Sequence, residues 1–449
     1  MNLTNIFRFI PEVRKPEEKK LSFNVKLKWT LIILVAFFVL ANIPLFGLSN
    51  NALERFEFLA VLLATDFGSL ISLGIGPIVM GSIILQLLAG SGILNIDTTT
   101  PEGRKFFQGL QKILVFFFIL FESIVYVAMK GLEAFPGFAG IVIFQLILGG
   151  LAIFYMNEVC EKWGFGSGVS LFIAAGVSWS LFTSAFQFIN QQGKNCLLDF
   201  GNTPCSGKVF VLIQSIINKY PVEILSALAA IIATIIIFLI VVWAQSLKVE
   251  IPLSFGRIRG YGVKWPLSFF YASVIPVILT AALVANIQLF GGLIENWRGA
   301  PTFLGGFSGG QAVSGLAFWI GSTNLLDLFI RGGFLWKYLL QGLIHILFFM
   351  GLATLFSVFW VKTAGMDARS QAKKIAASGL QVSGFRQDIR ILESILDRYI
   401  MPLTVMGGAA IGLLASFTNL LGALVGGTSI LLVIMIFHQF YQNIAQQHM

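Results

Sequence analysis

Long runs of apolar residues, separated by short polar stretches, dominate the chain. A membrane-spanning helix needs about 20 mostly apolar residues, and ten segments reach that length. They predict transmembrane helices at residues 29–48, 74–94, 107–129, 138–158, 168–189, 223–245, 267–290, 338–361, 399–420 and 424–442. The apolar segment 56–65 is too short to cross a bilayer, so it predicts a re-entrant or outward-facing half-helix.

The composition supports an all-α membrane protein. Of 449 residues, 57% are hydrophobic and 11% are charged, whereas a soluble domain is about half apolar and a quarter charged. With 44 Phe, 13 Pro and 3 Cys, the chain is not a disordered, collagen-like or disulfide-rich protein. A transmembrane β-barrel would show short alternating segments, which these long runs are not.

Basic residues predict the orientation of the helices. Of the 30 Lys and Arg residues, 22 lie in the N-terminal tail and in the loops on its side, and 8 lie in the other loops. The positive-inside rule therefore predicts that both termini are cytoplasmic. We expect a multi-pass protein of the cell membrane. The net charge of +9 also fits docking to an acidic partner, such as a lipid surface or ribosomal RNA.

Ten helices divide into two sets of five, and an odd number per set inverts the second half relative to the first. Residues 74–79 and 273–278, at the start of corresponding helices, each carry a proline before branched aliphatic residues. We therefore expect two inverted halves. The predicted division is a cytoplasmic amphipathic segment (1–28), a first half (29–190), an external hinge loop (191–222), a second half (223–442, with cytoplasmic loops 246–266 and 362–398) and a cytoplasmic tail (443–449).

Two loops carry further detail. The spacing of apolar residues in 362–398 predicts two amphipathic helices that flank residues 383–386. Cys196 and Cys205 lie in the loop that faces the oxidising side, where either a disulfide or two free thiols would fit.

Few chemically active groups fall within the predicted spans, of which Glu122 and His345 are the clearest. The sequence has no metal-ligand cluster, nucleotide-binding glycine loop or catalytic triad, so we predict neither an enzyme nor a bound cofactor or metal. A secondary transporter of a small solute is the alternative, although it normally needs polar groups at the midplane. An insertase or scaffold without a pore is a third class.

Several long motifs occur in an order that resembles the SecY family, the α subunit of the Sec protein-conducting channel, and its archaeal and eukaryotic branch most. They include LGIGPIVMGSIILQLLAGSGIL, GFGSGVSLFIAAGV, IPLSFGRIRG, YASVIPVILTAALVANIQL and the segment that begins MPLTVMGGAAIGLLASF. The resemblance covers essentially the whole chain. It implies the pore subunit of a translocon, which passes unfolded secretory polypeptides across the membrane and releases hydrophobic segments sideways into lipid.

The resemblance also implies roles for individual residues. A ring of aliphatic side chains would close the pore at its waist: Ile75, Val79, Val169, Ile173, Ile278 and Leu432. A plug at about 51–67 would lie on its external side, with Phe56, Phe58, Leu62 and Asp66. Polar residues of a lateral gate would be Gln86, Glu122 and Asn286.

The implied partners are the ribosome or a cytosolic motor, two small single-span subunits of the SecE (γ) and Secβ type, signal sequences, nascent chains and membrane lipids. The ribosome or motor would contact loop residues Arg257, Arg259 and Arg386.

Overall fold

The structure is a computed structural model that describes residues 11–18, 21–94, 96, 100–190, 194–198, 205–255, 262–272, 274–377, 380–382 and 389–448. Its α-helices, numbered in chain order, are α1 (Phe23–Ala41), α2 (Glu57–Leu62), α3 (Gly76–Gly90), α4 (Pro101–Ala128), α5 (Ala139–Trp163), α6 (Gly168–Phe186), α7 (Lys208–Asn218), α8 (Pro221–Ser246), α9 (Ile275–Arg298), α10 (Gly315–Ile320), α11 (Leu325–Ile330), α12 (Trp336–Thr363), α13 (Ala368–Ala377), α14 (Ile389–Leu420) and α15 (Gly427–His448). The strands are β1 (Leu48–Asn51), β2 (Leu132–Ala134), β3 (Lys248–Phe255), β4 (Gly262–Ser268), β5 (Gly306–Ser308), β6 (Gln311–Ser314) and β7 (Leu380–Val382).

The helices confirm the predicted all-α membrane fold. Among the described residues, nine helices are long and apolar enough to cross a membrane. A tenth apolar helix, α3, has 15 residues and occupies the predicted second span. The ten helices correspond one to one with the ten predicted spans.

Some helix ends differ from the predictions. The first span was placed at 29–48, but α1 ends at Ala41, just before Asn42 and Pro44, because the residue before a proline disfavours the helical conformation. The seventh span was placed at 267–290, but α9 starts at Ile275 with Pro276 in its first turn. The predicted tail 443–449 is helical as far as His448, because α15 continues through it.

The bundle has one large apolar core and one small one. The large core lies between the membrane helices, where α3 packs on α9 and α12, and α6 packs on α15. The short helix α2 packs on α6 and α9. The small core involves β3, β4, α13, the end of α12 and the first turns of α14.

The small core joins the two cytoplasmic loops, 246–266 and 362–398, that the sequence predicted as separate. β3 pairs with β4 in an antiparallel hairpin, and β7, from the second loop, pairs with β3. The hydroxyl of Tyr271 donates to the carbonyl oxygen of Met366 at 2.7 Å, and this bond joins the start of α9 to the end of α12. We call β3, β4, β7 and α13 the platform, and its side of the bundle the platform end.

The opposite side, the plug end, carries two small two-stranded sheets and the hinge. β1 pairs with β2, and β5 pairs with β6, both antiparallel. The predicted hinge loop 191–222 contains α7 and a disulfide between Cys196 and Cys205. Cys160 is a free, buried cysteine.

Candidate pore, plug and lateral gate

The six ring candidates lie on four helices that meet in the large core. Helix α3 packs on α9, α9 on α15, and α15 on α6, so these four helices form a continuous series of contacts. All six side chains belong to or pack against the same apolar cluster, and five of them are buried while Val169 is half-buried: Ile75, Val79, Val169, Ile173, Ile278 and Leu432.

The spacing of the ring candidates places pairs on one helix face. Ile75 and Val79 stand four residues apart at the start of α3, and Val169 and Ile173 stand four apart at the start of α6. Residues at this spacing are neighbours on a helix surface, so each of these helices presents two stacked aliphatic side chains.

Asn157 of α5, which sequence reasoning missed, holds the start of α6. Its Oδ1 accepts the backbone N–H of Val169 at 2.9 Å, and its Nδ2 donates to Glu161 at 3.0 Å. A Cβ atom at Gly168 would lie 2.6 Å from the Cα atom of Asn157, so only glycine permits this approach. The hydrogen bond satisfies one of the N–H groups that every helix start leaves open.

The predicted plug is a 3-10 turn (Glu54–Phe56) followed by α2. Phe56 is fully buried and contacts Phe307 of β5 edge to face at 5.4 Å between ring centroids. Its ring lies against Gly292 of α9, where any Cβ atom would collide with it. Phe56 therefore fits into a pocket that belongs to the second half of the chain.

Arg55 adds polar contacts between the plug and the second half. Its Nη2 donates to the carbonyl oxygen of Gly292 at 3.3 Å and lies 3.9 Å from Glu295. The carboxylate of Glu295 in turn accepts the N–H of Phe307 at 3.0 and 3.1 Å. The same strand that holds Phe56 is thus fixed by the carboxylate that pairs with Arg55.

The other plug candidates differ in their surroundings. Leu62 is partly buried and lines a cavity of about 450 Å³ between the plug, α9, α12 and the α14–α15 turn. Asp66 is exposed, and its carbonyl oxygen accepts the hydroxyl of Ser69 at 2.7 Å. Phe58 lies in α2, and its side chain falls outside the described residues. Gly68, which follows the plug, has a φ of +100°, a backbone conformation that favours glycine.

The three gate candidates lie on helices from both halves. Gln86 belongs to α3, Glu122 to α4 and Asn286 to α9, and all three are buried. The rings of Phe121 and Phe290, 6.4 Å apart, show that α4 and α9 meet at this seam. We call the contact of α3 and α4 with α9 and α12 the gate seam.

Hydrogen bonding at the gate seam is incomplete. Among the described residues, Gln86 Oε1, both carboxylate oxygens of Glu122 and Asn286 Oδ1 are buried and have no hydrogen-bond partner. Asn286 Nδ2 donates within its own helix, to the carbonyl oxygen of Ala282 at 2.8 Å. Glu122 packs on Gly76, where a Cβ atom would lie 3.1 Å from Oε2.

The hydroxyl of Ser82 in α3 forms hydrogen bonds with residues of the first half. It accepts from Gln111 of α4 at 2.7 Å and donates to the carbonyl oxygen of Ile78 at 2.8 Å. It therefore strengthens the contact between α3 and α4, and these bonds do not reach across the gate seam to α9 or α12.

The platform end carries a cluster of charges that we call the N-terminal knot: Glu12, Val13, Arg14, Lys112, Glu158, Lys162 and Trp163. Glu158 is buried and accepts the N–H of Val13 at 3.0 Å, and it forms ion pairs with Lys112 and Lys162. A hydrogen bond from Lys162, 2.8 Å away, lowers the pKa of Glu12 below its ordinary value. The knot fixes the N-terminal segment to the ends of α4 and α5.

Arg257, Arg259 and Arg386, the candidate contacts for a ribosome or motor, lie outside the described residues. The strands of the platform, β3, β4 and β7, flank the segments that contain them. Within the described part of the chain, no group of three or more His, Cys, Asp or Glu side chains is placed to hold a metal ion.

Comparison with known proteins identifies the family. The family model SecY matches residues 69–441, and the model for the plug domain of Sec61p matches residues 35–68. The chain belongs to the SecY family. Protein translocase subunit SecY of Methanothermobacter thermautotrophicus is 41% identical over 449 residues, which cover 99% of this chain and 95% of that protein. The resemblance to the archaeal branch is thereby confirmed.

Solved structures of SecY-family channels agree with the fold. A structure described as a protein-conducting channel has a TM-score of 0.84 and 38% identity, and the match covers 100% of this chain and 98% of that one. Sec61 in the canine ribosome–channel complex has a TM-score of 0.80 and 37% identity, with 100% and 97% covered.

Proposed function

We propose that the chain is the central pore-forming subunit of a protein translocon and is a channel component, not an enzyme. It passes unfolded secretory polypeptides across the membrane and releases hydrophobic segments into lipid. The observation that carries this function is the meeting of α3, α6, α9 and α15 at one apolar cluster, next to a short helix that reaches into the second half. Membership of the SecY family supports it.

In this proposal the six aliphatic ring candidates close the pore. Apolar side chains offer an ion no replacement for its hydration shell, so a narrow apolar waist loses its water and blocks ions. An extended polypeptide can push the same side chains apart, because no specific hydrogen bond between them must break. The plug, held by Phe56 and Arg55, supports the closed state from the plug end.

Sideways release takes place at the gate seam. Within the part of the chain that the structure describes, Gln86, Glu122 and Asn286 each keep a buried oxygen without a hydrogen-bond partner, and such groups lower the stability of the closed seam. A sufficiently apolar segment in the pore then partitions between α3 and α9 into lipid.

The partners and the orientation are parts of the same proposal. The platform end faces the cytoplasm, together with both termini, in accordance with the excess of Lys and Arg on that side. It docks a ribosome, a proposal supported by the likeness to Sec61 in a ribosome–channel complex. An apolar groove of about 630 Å³ between α6, α8 and α15 offers a single apolar helix a place to pack, as small single-span subunits require.

The proposal is tested by crosslinking and by ion leak. A secretory chain stalled on the ribosome should crosslink to photoreactive residues at Ile278 and Leu432, and much less to one at the lipid-facing Leu239 of α8. Replacing Ile75, Val79 and Ile278 by Gly should raise the ion conductance of the resting pore in a bilayer, whereas Leu239→Gly should not. Uptake of a small solute without these crosslinks would favour a secondary transporter.

A further inference from the structure

The hinge helix α7 turns polar side chains towards the protein and an apolar face outwards, which is the reverse of a helix on a water-facing surface. Gln214 and Ser215 point into the protein and are buried. Ile213, Ile216 and Ile217 point outward, with 44%, 57% and 60% of their surface exposed. These three isoleucines share one face, since they are three and four residues apart.

Such an arrangement is unfavourable in water. Burying an isoleucine side chain stabilises a protein in water, and a surface helix normally turns its apolar face to the core. In α7 the polar face takes that position instead. The outward face must therefore contact something apolar.

Length limits what α7 can do in a membrane. Eleven residues rise about 16 Å at 1.5 Å per residue, which is about half of the ~30 Å hydrocarbon core. The helix cannot cross. It begins with Lys208 and is followed by Lys219, and lysines at both ends suit a helix that lies at the interface, where their ammonium groups reach the lipid headgroups.

The surroundings of α7 identify lipid as its contact. The helix packs on α6 and α8, both of which are long enough to span the membrane. Helix α8 starts at Pro221, soon after α7 ends, and its first turns expose Val222, Leu225 and Leu228. The exposed isoleucines of α7 are thus followed along the chain by exposed apolar residues of a helix that is long and apolar enough to cross a membrane.

Two hydrogen bonds connect α7 and the residue before it with the end of α6 and with the disulfide. The N–H of Gly207 donates to the carbonyl oxygen of Gln187 at 2.8 Å. The N–H of Cys205, which is joined to Cys196 by the disulfide, donates to Gln214 Oε1 at 3.1 Å. If α7 is held at a fixed depth, the segment that links the two halves is therefore held there as well.

We propose that α7 lies in the membrane interface at the plug end, with its isoleucine face against the lipid acyl chains, and that it anchors the hinge between the two halves to the bilayer. The proposal needs only a membrane around the bundle and stands whether or not the pore conducts polypeptides. The two halves then move relative to each other around a hinge that is held at a fixed depth.

Photo-crosslinking of the full chain in lipid vesicles tests this anchor. Benzoylphenylalanine at Ile217, and separately at Ile213, should form lipid adducts in a yield within about twofold of that at Leu239, which lies on the exposed face of α8. The same residue at Asn50, exposed in β1 at the plug end, should give a yield at least fivefold lower.

Two results would overturn the anchor. A yield at Ile213 and Ile217 as low as that at Asn50 means that the face is in water. Adducts to a protein, either a second copy of this chain or a small subunit, mean that a protein covers it. A normal lipid yield at Leu239 shows in both cases that the vesicle preparation is sound.

Discussion

The N-terminal knot and the gate seam both bury charged or polar side chains, but they satisfy them very differently. In the knot, Glu158 accepts the N–H of Val13 and pairs with two lysines. At the gate seam, Glu122 is equally buried, and neither of its oxygens has a partner among the described residues. Glu158 and Glu122 thus lie on neighbouring helices and are both buried, but only Glu158 has hydrogen-bond and ion-pair partners among the described residues.

The difference separates a joint that stays closed from one that opens. A paired buried charge is hard to separate, because each partner would be left alone in an apolar environment. A buried group without a partner destabilises the state that buries it. We infer that the knot is a permanent connection and that the gate seam is held mainly by apolar packing, which a passing apolar segment can replace.

The largest effect is expected from breaking the knot. Replacing Glu158 by Leu removes the nearest carboxylate of Lys112 and one of the two carboxylates that pair with Lys162, in a largely buried site, and should lower the stability by about 3–5 kcal/mol. Thermal unfolding of the purified protein measures this. Glu17→Leu is the matched control, since its ion pair with Arg14 is exposed and should contribute at most about 1 kcal/mol. Equal losses in both variants would contradict the comparison.

The cap between α5 and α6 should have the next largest effect. Asn157→Leu removes the acceptor for the N–H of Val169 and should cost about 1–2 kcal/mol, while the ion leak of the resting pore rises as α6 loosens. Asn157→Asp combined with Glu161→Gln exchanges donor and acceptor and keeps both hydrogen bonds. Recovery of a tight pore in this double variant separates the cap from a general loss of packing; if it leaks like Asn157→Leu, the cap is not the cause.

At the gate seam, removing polarity should strengthen the closed state. Glu122→Leu deletes a buried carboxyl group that has no hydrogen-bond partner among the residues that the structure describes, which should stabilise the seam by about 1–3 kcal/mol. Insertion assays with segments of graded hydrophobicity should then require a more apolar segment. Glu102→Leu, in the first turn of the same helix and exposed, should leave the threshold unchanged. An unaltered threshold in Glu122→Leu would remove this residue from the gate.

The smallest effect concerns acid. Because the pKa of Glu12 lies below its ordinary value of 4.5, its contribution to the knot is fully present above pH 4.5 and decreases as the pH falls below it. Limited proteolysis should therefore release the N-terminal segment more readily in acid than at neutral pH. In Glu12→Gln this pH dependence should be weaker; if it is unchanged, other groups hold the segment.

The sequence predicted the elements whose signal is local. Apolar runs located all ten membrane helices, and the shortness of 56–65 marked the region of α2. The ring, plug and gate residues came from resemblance to a family, because an isoleucine in a pore ring and one between packed helices look the same in a sequence. Their roles stay predictions, although their burial is now known.

Features that depend on distant contacts could not be predicted in this way. The pairing of β3 with β7 joins segments that are more than a hundred residues apart, and nothing in either segment specifies the other. Asn157 looks like an ordinary polar residue near a helix end, since its role depends on where Val169 is placed. The sequence predicted a loop at residues 191–222 and did not predict α7, and which face of this helix is buried depends on the surrounding solvent.

The pairing of β3 with β7 has a mechanical consequence. It joins the two loops into one unit, the platform. The hydrogen bond between Tyr271, just before α9, and Met366, just after α12, connects this unit to both helices. A force on the joined loops is therefore transmitted to α9 and α12 together. We expect the second half to swing as a unit when a large partner docks, with no stage at which one of the two helices has shifted alone.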